Sequence, residues 1–404
     1  MGKWKLAIMM SIGIAISYIV RVNISHAIIP IAEEFEIGPV QQGLILSAFA
    51  WGYVALMFVG GLLVDKFGAR KMSIISASCW SVATLVSSIG FAWPMIFSSE
   101  LCAGASEAPI FPSNAKIVKN NYKENERGRA TAIFDAGSYV GTAISAPIMM
   151  IMIILFNWRI AFVITAMLGI IWVFFWKRFS KRVIDTKENA KEKTSLKEIL
   201  YILKNRKITG VCIGFFCYNY IKNFFLTWFP SYLVAERNFG LLNVGLWGMI
   251  PSLGAIIGGL SAGIITDKLI TCNFSLTFAR KLPLCVGMLL SSSIVLANYV
   301  TSDYVVLLLM TFSFAMAIAA SPSIWAIPGD IAPRDGLIGT IGGIQNTFSN
   351  IAGIVAPIFT GYLVSVSGDF RLALAVTAVI AFIGALSYLL VVGRLERIEV
   401  QPNE

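Results

Sequence analysis

Hydrophobic residues in this chain neither alternate with polar ones nor recur only at every third or fourth place. They run together in blocks of about twenty residues, separated by short polar connections. At a rise of about 1.5 Å per residue, such a block crosses the ~30 Å hydrocarbon core of a bilayer as one helix. Helices are the default in lipid because each satisfies its own backbone groups. A β-barrel would need short segments of alternating polarity, and runs such as Ile144 to Phe156 do not alternate. Turn residues and charge clusters between the blocks place twelve helices, at 6–29, 41–64, 72–92, 95–117, 129–155, 158–176, 208–232, 243–265, 282–300, 304–327, 337–364 and 370–392. The predicted class is an all-α membrane protein.

The connections organise these helices. The longest, 177–207, is too charged to enter the membrane and separates six helices from six, so the chain divides into halves 1–176 and 208–404 around a linker. A short helix is expected within that linker, around Leu196 to Leu203. Basic residues gather in alternate connections; only Arg159, Arg237 and Arg371 fall in the opposite set, and Arg21 and Lys222 fall inside helices. That asymmetry predicts both termini in the cytoplasm and a multi-pass protein of the inner or plasma membrane. A weak internal repeat supports the division: GGLLVDKF at Gly60 to Phe67 ends helix 2, and AGIITDKL at Ala262 to Leu269 ends helix 8.

Composition agrees and removes alternatives. With 57% hydrophobic and only 13% charged residues, the chain cannot build a water-soluble surface, for which about 25% charged is usual. The net charge of +10 would suit a nucleic-acid binder, but its basic residues serve topology, so no nucleic-acid partner is expected. The six cysteines lie in apolar runs or in a connection read as internal, and are expected to pack without forming disulfides. Met1 to Lys5 resembles the start of a signal sequence, yet the run that follows is long and contains Arg21, so it reads as a retained first helix. There is no nucleotide loop, no Cys/His metal spacing and no pore-filter repeat. An enzyme, a nucleotide-driven pump and a channel are thereby disfavoured, and no cofactor or metal is expected. A secondary carrier, acting as a monomer with the lipid bilayer as its solvent, remains.

Two groups of motifs then point to a family. Gly61-Leu62-Leu63-Val64-Asp65-Lys66-Phe67-Gly68-Ala69-Arg70-Lys71 resembles the helix 2–3 loop of the major facilitator superfamily, whose carriers have two six-helix halves with the solute near the midplane. Gly61 is expected to permit close helix packing, and Asp65 near Arg70 to form a cytoplasmic charge latch. Arg21-Val22-Asn23-Ile24-Ser25, Leu46 to Tyr53, Glu107-Ala108-Pro109 with Phe111 to Asn114, Leu226 to Leu233, and Gly342 to Asn346 through Asn350 resemble the anion:cation symporter family. That family includes importers of hexuronate, galactonate and glucarate, and vesicular glutamate and phosphate carriers. The resemblance implies a small organic anion as substrate, with a proton or Na⁺ as coupling ion. Two departures stand out: sugar-acid members carry an aspartate where this chain has Val20, and an arginine where it has Glu100.

Five charges fall inside apolar helices: Arg21, Glu100, Glu107, Asp135 and Lys222. Each costs at least about 2–3 kcal/mol at a helix centre unless paired or hydrated, so they should face an interior cavity. Counted by helical rise, Glu107 and Lys222 lie near the midplane, with Arg21 between the depths of Glu100 and Glu107. Arg21 and Lys222 are expected to hold a carboxylate or phosphate-like group while Glu107, Glu100 or Asp135 exchanges a proton; Lys222 can replace the cation lost at Glu100. The competing reading is a static salt-bridge network. Further candidate binding residues are Tyr18, Tyr53, Ser138, Tyr218, Asn219, Ser321, Gln345 and Asn346, whose hydroxyls and amides suit a sugar acid. His26, the only histidine, reads as interfacial. The acidic excess also fits a proton-coupled exporter of cationic or amphipathic compounds, and a transporter-like sensor is a further alternative.

Overall fold

The computed structural model describes residues 3–184, 202–333 and 337–398, and among them there is no strand. The expected helix around Leu196 to Leu203 falls mostly outside the described residues. The helices among the described residues group into twelve passes. Six are unbroken: helix 1 (Lys3–Glu34), helix 2 (Pro39–Phe67), helix 3 (Ala69–Ser88), helix 5 (Glu124–Leu155), helix 6 (Trp158–Phe179) and helix 11 (Ile338–Ser367). Four come in two pieces: helix 4 (Trp93–Glu107, Ile110–Asn121), helix 7 (Arg206–Thr227, Phe229–Arg237), helix 8 (Leu241–Gly248, Ile250–Thr271) and helix 10 (Asp303–Ala319, Ser321–Ile331). Helix 9 passes from α (Leu276–Ser291) to 3₁₀ (Ser292–Tyr299), and helix 12 (Arg371–Leu386) ends in a π turn (Ser387–Val391).

The breaks have a common cause. Pro109, Pro230, Pro251 and Pro322 each stand within two residues of one, and proline has no N–H with which to continue the preceding ladder. It is readily accommodated in the first turn of the next segment.

By length and hydropathy, nine helical stretches among the described residues can cross a membrane. Helices 3, 4 and 7 are the passes this measure omits, and they are the polar ones. Helix 3 turns Ser73, Ser76, Ser81 and Ser87 inward, while Ile75 and Val82 face outward. A soluble helix shows the reverse. Ser73 and Ser81 donate to carbonyls one turn back, so their burial leaves no donor stranded.

The described chain forms two compact units, and they are not its two halves in order. Of the described residues, one holds 3–184 with 226–249 and 357–365; the other holds 202–225, 250–333, 337–356 and 366–398. Within the first, the start of helix 2 meets helix 11 at Pro357 to Gly361, and the Trp228 indole donates to the Pro357 carbonyl at 2.9 Å. The internal repeat is visible as packing. Helix 2 crosses helix 4 at Gly52 and helix 8 crosses helix 10 at Gly254, each thirteen residues before the aspartate of its repeat.

Candidate functional site

Helices 1 and 2 bring a cation and three aromatic rings together. The guanidinium carbon of Arg21 lies 4.6 Å from the centre of the Phe49 ring, 5.4 Å from Tyr53 and 5.5 Å from Tyr18. All three are within the ~6 Å over which a ring face attracts a cation. Phe49 and Tyr53 are one turn apart on helix 2 and stack, with centroids 6.0 Å apart and planes 18° apart. Among the described residues Arg21 has no hydrogen bond and no ion pair, so its five N–H donors are uncommitted. Arg21 therefore takes no part in a salt bridge among the described residues.

Glu107 is 1% exposed, and its Oε1 has no hydrogen-bond partner among the described residues. Arg21 is the charge acting on it, and Ser17 of helix 1 stands beside it. Tyr18 feels the charges of Arg21, Glu107 and Asp135. Thus Arg21, Tyr18, Tyr53, Glu107 and the half-buried Asp135, all singled out by the sequence, belong to one electrostatic group.

Local sequence explains why they meet. A β-carbon at Gly104 would collide with the Phe49 carbonyl, and one at Gly52 with the Leu101 carbonyl. Two missing side chains therefore bring the backbones of helices 2 and 4 into contact. That crossing sets the Phe49 carbonyl against Gly104, one turn before Glu107 and the break at Ala108 and Pro109.

Other candidates lie elsewhere. Glu100, 2% exposed, accepts from Ser87 Oγ at 3.3 Å, and that hydroxyl lies 2.6 Å from Ser99 Oγ. Glu100 thus shares the helix 4 face of Glu107 but meets helix 3 at its own depth. Ser138 Oγ donates to the Asp135 carbonyl at 2.7 Å. In the second unit, Asn219 Nδ2 donates to the Ser349 carbonyl at 2.8 Å, tying helix 7 to helix 11. Gln345 Nε2 donates to the Ile324 carbonyl at 3.4 Å, and Gln345 Oε1 is buried without a partner among the described residues. Asn346 Oδ1 accepts from Asn350 at 3.0 Å, Tyr218 packs beside Phe215, Ser321 starts the second piece of helix 10, and Lys222 is half-buried in helix 7.

Three expectations are corrected. Asp65 pairs with Lys116 of helix 4 at 2.9 Å, not with Arg70. Lys116 is only 9% exposed and needs a counter-ion. Gly68, at φ 90°, turns the chain so that Arg70 reaches Ser180 Oγ at 3.0 Å. Gly61 has open space where a β-carbon would be, while its neighbour Gly60 packs on helix 4 at Ala108 and Pro109. One residue turns a helix by about 100°, which is enough to exchange the two faces. His26 is buried, with Nε2 3.3 Å from Ser145 Oγ of helix 5, because helix 1 extends beyond the predicted end and carries it inside the bundle.

Sequence reasoning missed Phe49 and Lys116. Phe49 stands four residues before Tyr53 and so shares its face, a signal that was available. Lys116, at the inner end of an apolar run, reads as an ordinary loop cation.

Comparison with known proteins adds independent findings. A model of the Major Facilitator Superfamily matches residues 10–357. The chain is 35% identical to the probable galactarate/D-glucarate transporter GarP of Escherichia coli (strain K12), over 96% of this chain and 94% of that protein. It is 34% identical to a D-galactonate transporter of Escherichia coli O6:H1, over 97% and 96%. Among solved structures, a bacterial homolog to the human lysosomal transporter Spinster superposes with a TM-score of 0.82 at 14% identity, covering 96% of each chain, a likeness of fold.

Proposed function

The chain belongs to the Major Facilitator Superfamily, and from that premise we propose that it carries a small sugar-acid anion across the cell membrane by proton-coupled symport. It is a multi-pass membrane transporter and not an enzyme. The relatives named for galactarate, D-glucarate and D-galactonate support the substrate class. The crowding of basic residues into alternate connections supports an orientation with both termini in the cytoplasm.

The observation that carries the reading is Arg21, seated on three ring faces with its donors open among the described residues, within electrostatic reach of Glu107, whose buried Oε1 has no hydrogen-bond partner among the described residues. A guanidinium edge takes a carboxylate through two parallel hydrogen bonds. Ionised Glu107 competes for the same cation; protonated Glu107 leaves it to the substrate. Anion and proton therefore favour each other's binding, which is the requirement for symport.

Counterflow and pH-driven accumulation of D-glucarate in proteoliposomes test this together. Glu107→Gln mimics the protonated acid, so it should keep counterflow and lose pH-driven accumulation. Concentrative uptake by the variant would remove Glu107 from the coupling step and direct attention to Glu100 or Asp135. Loss of both activities in a folded variant would indicate a structural role instead.

A further inference from the structure

An arginine within an apolar helix needs stabilisation, and the usual partner is a carboxylate. Here Val20 precedes Arg21, and no described acidic side chain is bonded to it. It lies over three ring faces, of which Phe49 is the nearest, at 4.6 Å. The difference matters chemically. A carboxylate would occupy the guanidinium edge and offset its charge, whereas a ring attracts the cation through its face and leaves the N–H edge available.

We infer that Phe49 is a positioning residue for anion recognition, holding the Arg21 guanidinium by its face so that its N–H edge is available to a substrate carboxylate. The inference rests on the reading of Arg21 as the anion anchor. Phe49 has no polar atom with which to bind a sugar acid itself, and at 5% exposure it offers the solute little surface. Its effect must therefore pass through Arg21. Its place is fixed from two directions, by Tyr53 stacked on it and by Gly104 of helix 4 against its carbonyl. Tyr18 and Tyr53 can complete the seat and still present hydroxyls to the solute. Phe49 can only hold the cation.

The test compares apolar side chains without a ring to one that keeps it. Phe49→Leu and Phe49→Met should each weaken D-glucarate binding roughly tenfold, the order expected for losing a desolvated cation–ring contact. The loss should appear in Kd and KM with little change in maximal rate, and Phe49→Tyr should restore affinity. Two apolar replacements guard against one that fails to fold, and thermal unfolding of the purified carriers identifies such a failure. Wild-type affinity in a ring-free variant would overturn the inference. So would equal losses in Phe49→Tyr and Phe49→Leu, which would mean that packing alone is at stake. Arg21→Gln separates the two levels: if it binds D-glucarate like the wild type, the anchor reading itself falls. If it loses binding while Phe49→Leu does not, only the role of Phe49 falls.

Discussion

At the scale of single residues, Arg21 combines a fixed charge with a planar set of donors, and the two properties are separable. Lysine supplies the same charge from a single ammonium and cannot match a carboxylate with two parallel bonds. Arg21→Lys is therefore expected to retain a folded carrier yet lower D-glucarate affinity by roughly tenfold to a hundredfold, the range for a lost charge-assisted hydrogen bond. Equilibrium binding to the purified variant measures this, and wild-type affinity would show that charge alone recruits the anion. Glu100 differs in its neighbours: its Oε1 accepts from Ser87 of helix 3, while its Oε2, like Glu107 Oε1, is buried without a hydrogen-bond partner among the described residues, so an unpartnered carboxyl oxygen does not by itself identify a solute site.

At the scale of elements, the site depends on the crossing of helices 2 and 4. Gly104 abuts the carbonyl of Phe49, a backbone atom that cannot turn aside as a flexible side chain could. Gly104→Ala should force the helices apart, with a destabilisation of about 1–3 kcal/mol typical of overpacking. Thermal unfolding should register it, and D-glucarate affinity should fall as Phe49 moves from Arg21. Gly61→Ala is the matched control. Open space surrounds that position, and alanine is the better helix former by about 1 kcal/mol, so its unfolding temperature should not fall. A Gly104→Ala carrier as stable as wild type would show that the crossing tolerates a side chain.

For the whole molecule, transport requires exchange between conformations, and a residue can govern that exchange without touching substrate. Asp65 is a candidate because it is exposed on its own unit and held by an ion pair to nearly buried Lys116. Asp65→Asn is expected to slow D-glucarate transport several-fold, since a change of about 1 kcal/mol in one conformation shifts its population by that order, while equilibrium affinity stays near wild type. Stopped-flow uptake and direct binding, measured on the same preparation, separate the two quantities. A large loss of affinity in a folded variant would contradict this role. The Trp228 to Pro357 hydrogen bond, within the same unit, joins segments distant in sequence.

The sequence by itself determined the twelve-helix membrane fold, because a continuous apolar block in lipid has few stable forms other than a helix. It also exposed Arg21, Tyr18, Tyr53 and Glu107, since polar and charged groups are conspicuous among apolar neighbours. Tertiary structure decided their bonding. Lys116, read as a loop cation, is the partner of Asp65, and Gly60 rather than Gly61 packs against helix 4. Phe49 shares a helix face with Tyr53 in the sequence, but only the structure seats Arg21 over its ring. The grouping of 226–249 and 357–365 with the first half was equally hidden. Helical periodicity reports which residues share a face, but the partner across that face depends on where two backbones cross and at what depth, and those are properties of the packed chain.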